Sequence, residues 1–453
     1  MHAMGVAKAK LALIIGLLAI LGVSLLAFPP TTQAPASLNI LPERERARVM
    51  DEWLKWRLEN ILPEIMRREG VDLWLVICNE SDPDPVYFSL LPATALYVVR
   101  TSILIFHDRG PDLGVERLTG GSGMGDLYKP TWLDRKNKMQ FASLAETIRK
   151  LNPKKIAINT SAHWGFGDGL TAGLKEKLVT ALGLEYSRRL VSAERLCVGW
   201  LETRSPQELS VYRYLGVISH DLIQDFFSNR VIVPDITTTA DVEWWIRQRV
   251  RDLGLDPWFQ PDIDIQRNKK TQLQGQNANV IRRGDLLHCD IGIKYLGLHT
   301  DMQWSAYVLK DGETEAPKGL KNALEKAKRQ AAILMAEFAA GRTGNEIVTT
   351  AMNKGVAEGL RPLIYSHPIG LYGHSAGPPM DARSVENAPE DIRIRGLYPL
   401  YPNTAYSIEF AVTATIPEWD NQDVHIGFED DAVFTDTGCF FIDGRQETLL
   451  LVK

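Results

Sequence analysis

Four carboxylates and two imidazoles occupy places in this chain where burial alone would be costly. Asp290 and Asp301 lie in LHCDIGIKYLGLHTDMQ, Leu287 to Gln303, one in each arm of a β-like pattern with Gly292 and Gly297 between them. Aspartate is disfavoured in strands, and the glycines permit the turn that folds one arm onto the other. A turn about Tyr295 and Leu296 sets Asp290 opposite Asp301. Glu409 sits inside the apolar run AYSIEFAVTA, and Glu429 precedes another in HIGFEDDAVF. His367 and His374 share the glycine- and proline-rich stretch SHPIGLYGHSAGPPMD.

A carboxylate among apolar strand residues is costly to bury unless it is paired or binds a metal. Two like charges about 4 Å apart repel by roughly 4 kcal/mol at an effective dielectric of about 20. Two divalent cations offset four carboxylates and leave a neutral imidazole as a fifth donor, which is the composition of a two-metal hydrolytic site. Oxygen and nitrogen donors without thiolate suit manganese, cobalt or zinc and do not choose among them. Cys289, beside Asp290, belongs to the opposite strand face. Either histidine of the loop has the glycine flanks a ligand needs. His374 is the expected ligand, because the small residues of GHSAG let backbone approach a crowded centre. His367 precedes Pro368, which favours an extended conformation, and is expected to reach the substrate. His288 shares a strand face with Asp290 and is read either as a residue that orients a ligand or as a core histidine.

The elements that position these groups fall into two halves. A charged amphipathic helix begins at Glu43 and ends near Gly70, and buried strands are expected at Val71–Cys78, Leu96–Phe106 and Lys155–Thr160. Strands alternating with helices imply an α/β domain over residues 40–203. At Ser205 a capping box with Glu208 opens a helix, and from residue 204 to 453 helix pairs mix with antiparallel strands, an α+β pattern. The 453 residues, 45% hydrophobic and 24% charged with a net charge of −5, are enough for two or three domains, and they lack the basic excess of a nucleic-acid partner. Lys8 and Lys10 precede the apolar run Leu11 to Phe28, and Ala34-Pro35-Ala36 follows. Residues 1–36 therefore read as a cleaved signal peptide or a retained membrane anchor, with the body exported in both cases. Membrane contact is expected only through that segment. Cys78, Cys197, Cys289 and Cys439 lie far apart, without metal-knot spacing.

The ordered set resembles the "pita-bread" metallopeptidases, the family of methionine aminopeptidase, prolidase and aminopeptidase P, with creatinase as a metal-free relative. Their pattern has two aspartates separated by ten residues, a histidine in a GHxxG-like loop, a glutamate in a strand and a glutamate in an EDD-like motif. Asp290, Asp301, His374 in GHSAG, Glu409 in SIEF and Glu429 in FEDD match it. The resemblance covers about Ser205 to Lys453, and RSPQEL at the start of the second domain is most similar to the aminopeptidase P, prolidase and creatinase branch.

The resemblance implies an α/β N-terminal domain plus an α+β pita-bread (creatinase-like) C-terminal catalytic domain. It implies two divalent metal ions (Mn, Co or Zn) held by Asp290, Asp301, His374, Glu409 and Glu429. The implied activity is a metal-dependent exopeptidase of the Xaa-Pro aminopeptidase or dipeptidase type, acting on peptides with a metal-bridged hydroxide. Glu409 is then the proton shuttle and His367 a hydrogen-bond donor to substrate. Two other readings, a non-cleaving peptide binder and a metal-free C–N hydrolase, are both disfavoured by the complete donor set. A homodimer stays open. The histidine loop departs from the family in spacing: Leu371-Tyr372-Gly373 intervene before His374, and Asp381 stands seven residues after it, where the family carries a further histidine.

Overall fold

Continuous apolar runs set the first sheet. The computed structural model describes residues 40–121, 123–131, 140–271, 278–383 and 390–453. The segment 1–36, read above as signal or anchor, lies outside the described residues. Among the described residues no helix is long and apolar enough to cross a membrane. The N-terminal half runs α1 (Glu43–Arg68), β1 (Leu73–Asn79), β2 (Thr101–Asp108), β3 (Val115–Thr119), β4 (Lys129–Pro130), α2 (Gln140–Leu151), β5 (Ile156–Ile158), α3 (Ala172–Ser187), β6 (Leu190–Ser192) and α4 (Glu194–Glu202). Its six-stranded sheet has the order β4-β3-β2-β1-β5-β6. β1 is buried on both faces because helices cover both: α1 and α4 pack on Trp74, Val76 and Phe106, while α2 and α3 pack on Leu73, Leu75 and Ile105. β2 begins at Thr101 rather than at Leu96. Arg100 takes a positive φ of 56° that breaks the extended run, and Leu96, Tyr97 and Val99 are exposed.

The second half begins with α5 (Pro206–Phe226), capped as its sequence implies: Glu208 N–H donates to Ser205 Oγ at 3.1 Å, and Ser205 N–H to Glu208 Oε2 at 2.6 Å. Glu208 also joins the halves. Arg57 of α1 reaches it at 2.9 Å and Arg204 at 3.2 Å, all three side chains being buried. Then come α6 (Thr239–Asp252), β7 (Asp256–Pro257), β8 (Asp262–Gln266), β9 (Leu286–Ile291), β10 (Ile293–Tyr295), β11 (Leu298–His299), β12 (Met302–Val308), α7 (Lys318–Met335), α8 (Gly344–Ala357), β13 (Pro362–Ile369), β14 (Met380–Asp381), β15 (Thr404–Ile416), β16 (Gln422–Thr435), β17 (Gly438–Phe441) and β18 (Leu450–Val452). The main sheet runs β14-β13-β15-β16-β12-β9-β8, with β17 on β16 and β18 on β12. Leu324, Ala331 and Ile347 of α7 and α8 join Ile408, Phe410 and Phe428 in one core on a single face of this sheet. The other face is left for polar groups.

The aspartate hairpin is real but shifted by two residues from the expected register. Asp290 pairs with Gln303, not with Asp301, because the turn centres on Leu296 and Gly297, whose φ values are 53° and 79°. Two positive φ angles suit the right-handed twist of a tight hairpin, and glycine takes the second without strain. The ladder opens at Gly292, between β9 and β10, and the Trp258 indole fills the space a Cβ would take there.

Candidate metal centre

One row of register neighbours crosses the open face of the sheet. Asp290 of β9 pairs with Gln303 of β12, Gln303 with Glu429 of β16, Glu429 with Glu409 of β15. Asp301 lies two residues along from Gln303 and so shares its face. His367 of β13 pairs with Ser407, which is two residues from Glu409. The twist of the sheet gathers these side chains from residues scattered over 140 positions of sequence.

Ligand-capable atoms of Asp290, Asp301 and Glu429 lie within 4.8 Å of one another, as do those of His367, Glu409 and Glu429 and those of Asp301, His367 and His374. His367 Nε2 is 3.5 Å from Glu429 Oε1, 3.6 Å from Glu409 Oε2 and 3.6 Å from Asp301 Oδ2. Its Nδ1 lies 3.1 Å from the Pro368 carbonyl, which fixes the ring with Nε2 turned into the cluster. His374 is exposed, its ring set edge-on to His367 at 4.5 Å and to Trp258 at 5.5 Å. The geometry thus differs from the expected division of labour between the two histidines. Strand pairing drives His367 into the centre of the carboxylates, while the loop after Gly370 leaves His374 at the mouth. Measured from His367, the seventh residue is His374 itself, so the apparent departures in loop spacing and at Asp381 disappear.

The electrostatics are those of charges crowded without compensation. Burial, and then the charge of Glu429, push Asp290 up to about 7 and Glu409 up to about 9. The same causes raise Asp301 well above the usual carboxylate range. Burial disfavours a charged His367, but the Glu429 carboxylate 3.5 Å away and the charge of Glu409 outweigh it and raise the imidazole to about 9. Loss of water around its ring, then the charge on His367, push His374 down to about 4. Asp290 Oδ1, Asp301 Oδ1 and His367 Nε2 are buried without a hydrogen-bond partner. Such orphaned atoms are rare in a native interior, and convergent oxygen and nitrogen donors with unused lone pairs fit divalent cations.

Several supporting residues lie outside the five matched positions, although Asp430 and Asp431 belong to the FEDD motif itself. Gln303 Nε2 donates to Glu409 Oε1 at 3.0 Å and to Glu429 Oε2 at 2.6 Å. Ser407 Oγ donates to Glu429 Oε1. Asp431, two residues beyond Glu429, accepts from the Asp301 N–H at 3.2 Å. The neighbouring Asp430 takes bonds from His220 and Trp304, both at 2.9 Å. Tyr365, two residues before His367, and Trp258 flank the two imidazoles. Period-two counting from each motif residue would have found Gln303, Ser407, Asp431 and Tyr365; Trp258 has no such signal. The N-terminal half contributes as well: Tyr372, between the two histidines, donates to the Pro85 carbonyl and packs on Phe166.

The comparisons agree with this construction. Residues 211–436 match the model of metallopeptidase family M24. No curated protein matches the chain by sequence. Among solved structures, an X-Pro aminopeptidase from Thermotoga maritima superposes with a TM-score of 0.60 at 16% identity, over 86% of this chain and 100% of its own. An Xaa-Pro dipeptidase from Bacillus anthracis gives 0.56 at 16% identity, over 89% and 99%. A zinc-substituted aminopeptidase P from E. coli gives 0.52 at 13%, over 90% and 96%. At such identities the likeness establishes the fold: an N-terminal domain followed by a pita-bread domain of mixed helices and sheets. From motifs, family model and fold together, the chain belongs to metallopeptidase family M24 and is an enzyme of the peptidase class.

Proposed function

We propose that the protein is a dinuclear-metal exopeptidase that removes or splits residues at an Xaa-Pro bond. The observation that carries the reading is the convergence of Asp290, Asp301, Glu409, Glu429 and His367, with three of their atoms buried and unpartnered. These five residues would hold the metals, His367 taking the ligand place first given to His374. When bound, two divalent ions supply charge compensation, polarisation of a carbonyl and activation of water.

The chain's own groups divide the remaining work. Glu429 is tied at both oxygens, by Ser407 and Gln303, and is a fixed wall of the site. Glu409 is tied only at Oε1; Oε2 faces the cluster and is the proposed atom that accepts and returns a proton. His374, at the mouth, is placed to donate to the substrate's carbonyl oxygen as charge develops there. Trp258 and Tyr365 line the approach and exclude water. The proline preference is supported by the named activities of the similar structures, the Thermotoga maritima X-Pro aminopeptidase and the Bacillus anthracis Xaa-Pro dipeptidase. Lys8 and Lys10 ahead of the apolar run support a body that works outside the cytoplasm.

The test is metal analysis of purified protein together with a panel of di- and tripeptides, with and without proline in second position. Up to two divalent ions per chain, and cleavage confined to the proline members, are expected. Full activity after exhaustive chelation would end the metal reading, and indifference to proline would end the specificity.

A further inference from the structure

The most specific arrangement outside the five donors is a neutral amide wedged between two of them. Gln303 uses both hydrogens of its carboxamide, one on Glu409 Oε1 at 3.0 Å and one on Glu429 Oε2 at 2.6 Å. Its own oxygen faces His288 Nε2 at 2.9 Å. With both glutamates ionised, chemistry fixes the sense of this chain: a flipped amide would set its oxygen against two carboxylate oxygens. His288 must therefore carry hydrogen at Nε2 and donate it to Gln303 Oε1. Its Nδ1 lies 3.7 Å from Asp264 Oδ2. The backbone leaves room for the pair at Gly427, where a Cβ would stand 2.5 Å from His288 Nε2 and 2.9 Å from Gln303 Oε1.

From these contacts we infer that Gln303, locked by His288, is the positioning residue that orients the two glutamates toward the metals. The inference rests on the two-metal reading above. An arginine or lysine in this place would spend carboxylate charge that the cations need, whereas a neutral double donor aligns both carboxyl planes and leaves their charge available. Because His288 holds the amide from behind, the glutamates keep their setting when the cations leave, so the site is preformed rather than assembled by the metal. His288 acts only through Gln303, and that dependence is what an experiment can see.

Zinc or cobalt(II) is titrated calorimetrically into wild type, Gln303→Met, His288→Leu, the double variant and His288→Gln, with the cobalt absorption spectrum recorded at saturation. Gln303→Met is expected to weaken metal affinity by about 10–100-fold and shift the cobalt bands, and His288→Leu by about tenfold. The double variant should bind no more weakly than Gln303→Met, since contacts in series are not additive. His288→Gln keeps a donor and should recover most of the loss. If Gln303→Met fails to fold, Gly427→Ala keeps every polar group and presses the imidazole off the amide, with the same expected weakening. Wild-type affinity in Gln303→Met or in Gly427→Ala, or additive losses in the double variant, would overturn the inference while leaving the two-metal reading intact. A wild-type protein that binds no divalent ion would instead overturn that reading, and the inference with it.

Discussion

Loading the metal-free protein with zinc should expel protons, and their number follows from the crowding of the site. Burial and the charge of Glu429 hold Glu409 up at about 9, Asp290 at about 7 and Asp301 well above its usual range. His367 is raised to about 9, the nearby carboxylates of Glu429 and Glu409 outweighing burial. At pH 7 the empty cluster therefore keeps protons on Glu409 and His367 and a fraction on Asp290, with Asp301 biased the same way. Ligands bind metal only when deprotonated, so filling the site at that pH should release roughly two to three protons. Protons compete with metal, so affinity falls as pH falls. Two displaced protons make the apparent affinity change about 100-fold per pH unit, or about 2.7 kcal/mol. Above about pH 9 the slope should fade, because the groups have already ionised. Calorimetric titration at pH 7 in two buffers of different ionisation enthalpy reads the proton count directly. A heat that does not depend on the buffer would mean that the carboxylates are already ionised, and the convergence argued here would be refuted.

The two histidines should separate cleanly. His367→Ala should weaken metal binding by at least about tenfold, whereas His374→Ala should keep metal and slow turnover by roughly 10²–10³, the scale of one lost oxyanion donor; the reverse pattern in metal titration and kcat would reassign them. Glu208→Gln strands the buried guanidinium groups of Arg57 and Arg204, so the urea midpoint should fall by an amount equivalent to about 3–5 kcal/mol. An unchanged midpoint would show that the clamp between the halves is dispensable. His220, opposed by burial but held by Asp430 and Asp443, is raised to about 9. Its folded value lies above the unfolded one, so its contribution is complete below about pH 6.5 and is lost as pH rises toward 9, at up to about 1.4 kcal/mol per unit. Denaturation of wild type and His220→Gln across that range should show a steeper loss in wild type, because the other raised groups titrate in both, and parallel curves would contradict it.

Much of the fold is legible because its signals are local. The doubly covered β1 reads as a continuous apolar run, α5 announces itself by Ser205 and Glu208, and the four clustered carboxylates stand out as charges in or beside apolar strands. What the sequence hides is register. The hairpin slipped by two residues because the positive φ of Leu296 has no compositional mark, and the consequence is that Gln303, not Asp301, faces Asp290. The histidines were hard to tell apart because both have glycine neighbours, and only the pairing of His367 with Ser407 brings its ring beside Glu409. The small Gly373 beside His374 leaves room for Trp258, against which a Cβ there would clash.

The row of side chains across the sheet also governs when activity can begin during biosynthesis. β9 and β12 form a local hairpin, and β13, β15 and β16 form a second antiparallel group more than fifty residues later. The two groups meet in the sheet at the pairing of Gln303 with Glu429, and Trp304 and Asp301 bond to Asp430 and Asp431 along the same seam. A growing chain that has passed Ile369 carries both aspartates and His367 but neither glutamate. Such distant pairings form late, so no nascent or half-folded molecule possesses a hydrolytic centre. The cluster is thereby complete only once β16 has been made and zipped onto β12.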